Sequence, residues 1–161
     1  MCVVGEKLRC TEATGYKVAL KTKDGRYLSV STPVEYKIGK VEKPYKYNSV
    51  AICDIEMHNY FNNLGFKSHI SSLILLKGYY LCSEDFYSKT MLFREIEDAL
   101  NFKLNCGVNN NPDNEIVILK ITLSDKIYDG SYNLSRLFIG DTIKEIKELS
   151  KEEINEIREK E

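Results

Sequence analysis

"IVILKITL", residues Ile116 to Leu123, is the stretch that decides the fold. Its odd-numbered side chains, from Val117 to Leu123, are all apolar and face one way, while Ile116 and Ile118 face the other. A strand that is apolar on both faces is typical of one that is buried on both faces. The stretch is therefore predicted to be the central strand of a sheet.

Two further strands are predicted nearer the N-terminus. "YKVALKT", residues 16–22, alternates between two faces as a half-buried strand does. One face carries Tyr16, Val18 and Leu20, and the other carries Lys17, Ala19 and Lys21. "KDGR" follows, and Asp-Gly between alternating runs predicts a hairpin because glycine accepts a positive φ. "YLSVS" is the return strand, which Pro33 ends or confines to a sheet edge.

A third alternating run, "VEYKI", points Val34, Tyr36 and Ile38 inward, and Gly39 then permits a tight bend into a loop. Lysines and tyrosines crowd this loop, a mixture that suits an anionic partner. Lysines on an exposed edge also prevent unwanted strand pairing, which is the purely structural alternative. The candidate binding residues are Tyr36, Lys37, Lys40, Lys43, Tyr45 and Tyr47.

Helices are predicted at two places. "REIEDALNFKL", residues 94–104, has Ile96, Ala99, Leu100 and Leu104 on one helical face. In the tail, Ser150 precedes Glu153 by three positions, which is a capping box, and the mixed charges that follow suit a solvated C-terminal helix covering the sheet.

Shorter elements are predicted between these. They are a strand at "SVAICDI", a helix ending at Gly65, a buried stretch "SLILLKGYYLC", a surface loop at "NNNPDN", a turn at "DGSYN" and a short strand at "RLFIG". The whole chain, 1–161, is predicted to be a single α+β domain, a mostly antiparallel sheet with two or three helices including a C-terminal one.

Composition narrows the class of protein. The chain is 43% hydrophobic and 29% charged, as folded water-soluble domains are. It has neither an apolar run of roughly 20 residues nor an apolar core near Met1, so a cytoplasmic location and no membrane partner are expected. The five cysteines are odd in number and scattered, which predicts reduced thiols and no disulfide partner.

Chemical motifs are sparse. His58 and His69 are the two histidines, and neither is accompanied by a nucleophile motif or by metal-ligand spacing. No glycine-rich phosphate loop occurs in the sequence. Neither a metal nor a cofactor is therefore predicted. Residues 1–48 hold ten Lys and Arg against five Asp and Glu, so the basic character lies in the N-terminal third.

"GYKVALK", "GRYLS", "VEYKIGKVEKP", "LFREIEDALNF" and "EIVILKITLSDKI" follow one another between Gly15 and Leu149. This order resembles a family of short, mostly uncharacterised proteins of bacteriophages and mobile elements. The resemblance implies a small accessory protein that acts in the cytoplasm of a host cell on a host target.

A second likeness is to ADP-ribosyltransferase-type folds. It is carried by Tyr16-Lys17, Ser29 to Thr32, Gly78 to Leu81, Ala99 and Val117 to Leu123. Such enzymes use NAD and hold its ribose with a carboxylate. The likeness implies Glu115 as the catalytic candidate, with Asp125 as a weaker substitute, although the sequence has no Glu-x-Glu or Gln-x-Glu ahead of the strand.

Three functions stay open at this point. The first is a non-catalytic protein that binds a host protein or another anionic ligand, as a counter-defence inhibitor does. The second is an NAD-using enzyme of the ADP-ribosyltransferase kind. The third is a sponge for a nucleotide signal, in which Tyr36, Tyr45 or Tyr47 stacks on a base and lysines hold the phosphate.

Overall fold

The computed structural model describes residues 4–7, 11–29, 35–46, 90–105, 115–132 and 134–161. These ranges contain eight strands and two helices. In chain order they are β1 (Val4–Lys7), β2 (Glu12–Lys21), β3 (Tyr27–Ser29), β4 (Glu35–Tyr36), β5 (Gly39–Lys46), β6 (Thr90–Phe93), α1 (Ile96–Asn105), β7 (Glu115–Tyr132), β8 (Ser135–Glu148) and α2 (Lys151–Lys160).

Four strands close into a small barrel. Strand β7 pairs with β2 on one side and with β8 on the other, and β6 pairs with both β8 and β2, so the ring is complete. Every described pairing is antiparallel. The central position predicted for the Ile116 to Leu123 stretch is confirmed.

The remaining strands extend this ring. β1 pairs with the second half of β7, β5 pairs with β8, and β3 continues the sheet from β2 to β4. The predicted hairpin between β2 and β3 is confirmed, with Gly25 at φ +85° and the Thr22 amide donating to the Arg26 carbonyl at 2.9 Å.

Two irregularities bend the long hairpin of β7 and β8. Between Ser124 and Ile127, β7 has one residue more than its partner, and Asp125 there has φ 69°. Near Ile143 the extra residue lies on β8 instead. Bulges of this kind increase local twist, and they let two long strands curve far enough to meet β6 and β2.

The hydrophobic core has an inner and an outer part. The interior of the barrel is filled by inward side chains of β2, β6, β7 and β8, including Ala19, Leu92, Leu119 and Ile121, all 0% exposed. The outer part lies under the helices. Its buried members are Val18, Leu20, Leu28, Ile96, Ala99, Ile118 and Leu149.

The two faces of β2 divide as predicted, but the strand is not half-buried. The face with Tyr16, Val18 and Leu20 lies against the helices, and the face with Lys17 and Ala19 lies inside the barrel. Closure of the barrel therefore covers the face that its lysines suggested was exposed.

Both predicted helices are present. Ser150 caps α2, with its hydroxyl accepting from the Glu153 amide at 3.2 Å and the Glu153 carboxylate accepting from the Ser150 amide at 2.9 Å. In α1 the core-facing residues Ile96 and Ala99 are buried, whereas Leu104 is 82% exposed, so its predicted place on the buried face is wrong.

Other expectations are corrected as well. Ile38 is 44% exposed rather than inward, and Gly39 begins strand β5 rather than a loop. Residues 129–132 of the predicted "DGSYN" turn belong to β7, and the chain reverses next to Leu134 at φ 69°. "RLFIG" is only the start of the long strand β8.

The α+β prediction holds for the antiparallel pairing and the C-terminal helix, but strands dominate the described ranges and close into a barrel. Several predictions lie outside the described residues. They concern the stretches 49–55, 54–65, 72–82 and 109–114, Pro33, Val34, both histidines and all five cysteines.

Candidate functional site

Three exposed lysines lie on or beside strand β5. Lys37 precedes the strand, and Lys40 and Lys43 belong to it. In the described part of the chain β5 pairs with β8 alone, so its other side is an edge there. We call Lys37, Lys40 and Lys43 the lysine edge.

The strand is strongly bulged at this point. Lys40 is opposite Glu145 on β8, and Tyr45 is already opposite Ile143, so four residues of β5 bulge out where β8 contributes one. Lys43 lies in this bulge. The irregular backbone interrupts the regular row of amides and carbonyls that a further strand would need.

The lysine edge has no carboxylate partner among the described residues. Lysines of the neighbouring strands differ in this respect. Lys144 contacts Glu12 at 2.9 Å, Lys21 contacts Glu148 at 3.1 Å, and Lys147 is paired with Glu153. Three cations therefore stand close together in sequence, exposed and without an ion pair to a described carboxylate, although Glu145 lies opposite Lys40 on β8.

Of the tyrosines predicted to share this surface, Tyr36 is the one whose side chain the structure describes. Tyr36 is 2% exposed and belongs to the barrel core, so its expected place beside the lysines is wrong. The backbone of Tyr45 pairs with β8, and its side chain and all of Tyr47 lie outside what the structure describes. The alternating pattern that pointed Tyr36 inward was the better guide to its place.

A second group of polar side chains lies at one end of the barrel. Lys21 and Tyr27 are cross-strand partners, and the Lys21 ammonium lies 5.6 Å from the centre of the Tyr27 ring. Both bind Glu148 at the end of β8, Lys21 by an ion pair and Tyr27 by a hydrogen bond from its hydroxyl. The hydrogen bond and charge of Glu148 raise the pKa of Lys21. The pKa of Tyr27 is raised mainly by burial and further by Glu148.

Lys17 has a different environment, although it lies on the same face of β2. Its ammonium donates to the Met91 carbonyl of β6 at 3.2 Å, and no described carboxylate is paired with it. Burial lowers the pKa of Lys17 to about 8. Sequence alternation placed Lys17 and Lys21 on one face but carried no signal for the carboxylate that only one of them meets.

The candidate catalytic carboxylates are not brought together. Glu115 is exposed at the first position of β7, opposite Lys21 of β2. Asp125 lies at the bulge, ten residues further along the same strand, roughly 30 Å away for an extended chain. The structure thus offers Glu115 a cationic neighbour but no second carboxylate from this pair.

At the other end of the barrel, Arg94 forms an ion pair with Asp129 and lies 4.3 Å from the centre of the Phe138 ring. Within the described ranges no three His, Cys, Asp or Glu side chains are grouped as metal ligands. Neither described helix has the length and apolar character needed to cross a membrane.

Comparison with protein-family models, with curated proteins and with solved structures gave no match. The function of this chain is therefore inferred from its own residues and their geometry.

Proposed function

We propose that the chain is a non-catalytic binding protein that attaches to an acidic surface of a host protein through the lysine edge. The setting we propose is the one that the family resemblance implies, an accessory protein of a bacteriophage or mobile element. The observation that supports this function best is the exposure of three neighbouring lysines with no described carboxylate partner.

The local excess of positive charge makes this surface better suited to an acidic partner than other parts of the protein surface. Residues 37–46 contain four lysines and a single carboxylate, Glu42, in a chain whose net charge is −1. A local excess of one sign attracts the opposite sign from a distance and accelerates encounter. Exposed lysines that already have carboxylate neighbours add little to such attraction.

The bulge in β5 favours recognition by side chains over recognition by backbone. A partner that added a strand to this edge would need a continuous ladder of hydrogen bonds. The four bulged residues interrupt such a ladder, and one of them, Pro44, has no amide hydrogen to donate. The partner is therefore held by contacts to lysine ammonium groups, and its attachment weakens as salt concentration rises.

The experiment is capture from a host lysate with the tagged protein, followed by native mass spectrometry. The test variant reverses the lysine edge (Lys37→Glu, Lys40→Glu, Lys43→Glu). A matched control variant reverses three exposed lysines elsewhere, Lys120, Lys126 and Lys151, and so changes net charge equally.

We expect the test variant to capture at least about tenfold less partner than the original protein, which is a common effect of charge reversal at an interface. The control variant should capture as much partner as the original protein. Thermal unfolding of both variants should stay close to that of the original protein, because all six side chains are exposed. Equal loss in the two variants would show a nonspecific charge effect, and unchanged capture would exclude the lysine edge.

A further inference from the structure

An exposed apolar side chain lies among the lysines of the lysine edge. Ile38 follows Lys37 and precedes Lys40 by two positions, and it is 44% exposed. Two other large hydrophobic side chains of the described residues are exposed, Leu104 in α1 and Leu134 at the turn between β7 and β8. Single exposed hydrophobic residues are ordinary on protein surfaces, so the meaning of Ile38 depends on its setting.

The backbone on each side of Ile38 is held in place. On one side Tyr36 is 2% exposed and belongs to the barrel core. On the other side Gly39 and Lys40 pair with β8. Gly39 has φ +134°, a conformation that favours glycine. Because only Lys37 and Ile38 lie between these two attachments, the chain presents both side chains to solvent at a defined place.

We propose that Ile38 is the apolar anchor of the lysine edge and that its partner is a protein surface on which an apolar recess is bordered by carboxylates. This inference rests on the proposed function and narrows its partner from an acidic protein surface to one of this composition. Protein interfaces commonly combine an apolar centre with a polar rim, and a few anchor side chains supply most of the binding energy. Ile38 between lysines is such a combination.

A partner that carried negative charge alone would make no use of Ile38. A nucleic acid or another polyanion binds lysines mainly through its charge, and its affinity falls steeply as salt concentration rises. A surface that also covers Ile38 removes apolar area from water, and salt does not screen that gain. The attachment of the chain on both sides of Ile38 lowers the entropy lost when a partner covers it. The lysines therefore attract an acidic partner, and Ile38 selects a protein with a matching recess.

Photo-crosslinking from three positions of the full chain tests this contact. The photoreactive amino acid p-benzoylphenylalanine replaces Ile38, Glu42 or Leu104, and each variant is illuminated in host lysate. Glu42 is exposed on β5, and its replacement keeps all three lysines of the lysine edge. Leu104 is the matched control, because it is an exposed hydrophobic residue next to a lysine, Lys103, outside the lysine edge.

We expect positions 38 and 42 to crosslink to the same host protein and position 104 not to do so. The host peptide joined to position 38 should have an apolar residue at the point of attachment and carboxylates around it. Crosslinking from position 42 without crosslinking from position 38 would overturn this inference and leave the proposed function intact. Attachment of position 38 to nucleic acid, or to a protein segment without apolar side chains, would also overturn it. Absence of crosslinking from both positions would contradict the proposed function together with this inference.

The affinity of the purified host protein for single-residue variants gives a second measurement. Ile38→Ala should weaken binding about tenfold, because roughly half of an isoleucine side chain is available for burial. This factor should be the same at low and high salt concentration, whereas the effect of Lys40→Ala should shrink as salt concentration rises. Leu104→Ala should bind as the original protein does. Unchanged affinity in Ile38→Ala would show that Ile38 is not an anchor.

Discussion

Replacing Lys17 by Met should change how the stability of the protein depends on pH. Methionine has a similar length and can fill the same space without a charge. The pKa of Lys17 is lowered to about 8 in the folded protein, whereas an unfolded chain returns it to about 10.5. Between these values the unfolded state binds more protons than the folded state, so stability rises with pH.

The size of this effect follows from the two pKa values. Each pH unit between them is worth about 1.4 kcal/mol, so raising the pH from about 7 to about 9.5 adds about 2 kcal/mol to the free energy of unfolding. Partial exposure of the side chain leaves some solvent screening, which lowers the expected gain to about 1–2 kcal/mol. Below about pH 8 this contribution is constant.

Urea unfolding at several pH values, followed by circular dichroism, measures this gain. The free energy of unfolding of the original protein minus that of Lys17→Met should increase by about 1–2 kcal/mol over the interval. Taking the difference removes the contributions of Tyr27 and Lys21, which are common to both proteins. Lys120→Met, on the exposed face of β7, is the control and should show no such trend. A flat difference for Lys17→Met would refute the desolvation of Lys17.

Two further substitutions test the fold. Gly15→Ala should cost about 2–3 kcal/mol in thermal or chemical unfolding, because a Cβ there would lie 2.7 Å from the Leu92 Cβ and 2.9 Å from the Phe93 carbonyl oxygen. Gly140→Ala is its control and should cost below about 1 kcal/mol, since the nearest atom to the new Cβ is the movable end of Leu123 at 3.1 Å and the Lys126 carbonyl oxygen is at an ordinary 3.5 Å. Equal losses would contradict the close approach at Gly15. Ser150→Ala should cost about 1 kcal/mol because it removes one half of the capping box, and Ser150→Asp should restore most of that stability. An unchanged melting temperature in the alanine variant would show that α2 does not depend on its cap.

The features predicted correctly from the sequence are those with a local cause. The apolar run from Ile116 to Leu123 needs burial on both faces wherever it lies, the Asp-Gly pair needs a turn, and Ser150 with Glu153 needs a helix start. Each of these requirements acts within a few residues. They could therefore be identified without knowledge of which strands become neighbours.

Closure of the barrel has no such local signal. It depends on bulges and on the approach of β6 to Gly15, both of which involve residues distant in sequence. The spacing of three between Ile143 and Ile146 is typical of a helix, yet both lie in β8 and face the core. The extra residue in the bulge shifts the alternation of β8 by one position, so that Ile143 and Ile146 both face inward. Residue spacing in the sequence does not show where such a bulge lies.

For the candidate site, the sequence predicted the exposure of the lysines but did not decide the place of Tyr36. Exposure of Lys37, Lys40 and Lys43 was expected from their number and their nearness to an edge, and the structure has them exposed. Tyr36 was assigned to two incompatible places, the inward face and the binding surface, and burial of its side chain decides for the first. Alternation within a strand determines the face, and it is a stronger constraint than proximity in sequence.

Lys17 and Lys21 show why the chemistry of a side chain cannot be read from its face alone. Both are lysines on the inward face of one strand, four residues apart. Glu148, more than a hundred residues away in sequence, reaches Lys21 and raises its pKa. Among the described residues the Lys17 ammonium has the Met91 carbonyl as its partner, and burial lowers its pKa. An ammonium is stabilised by a nearby carboxylate and destabilised by apolar surroundings. The position of one long-range partner therefore decides whether the pKa of a lysine is raised or lowered.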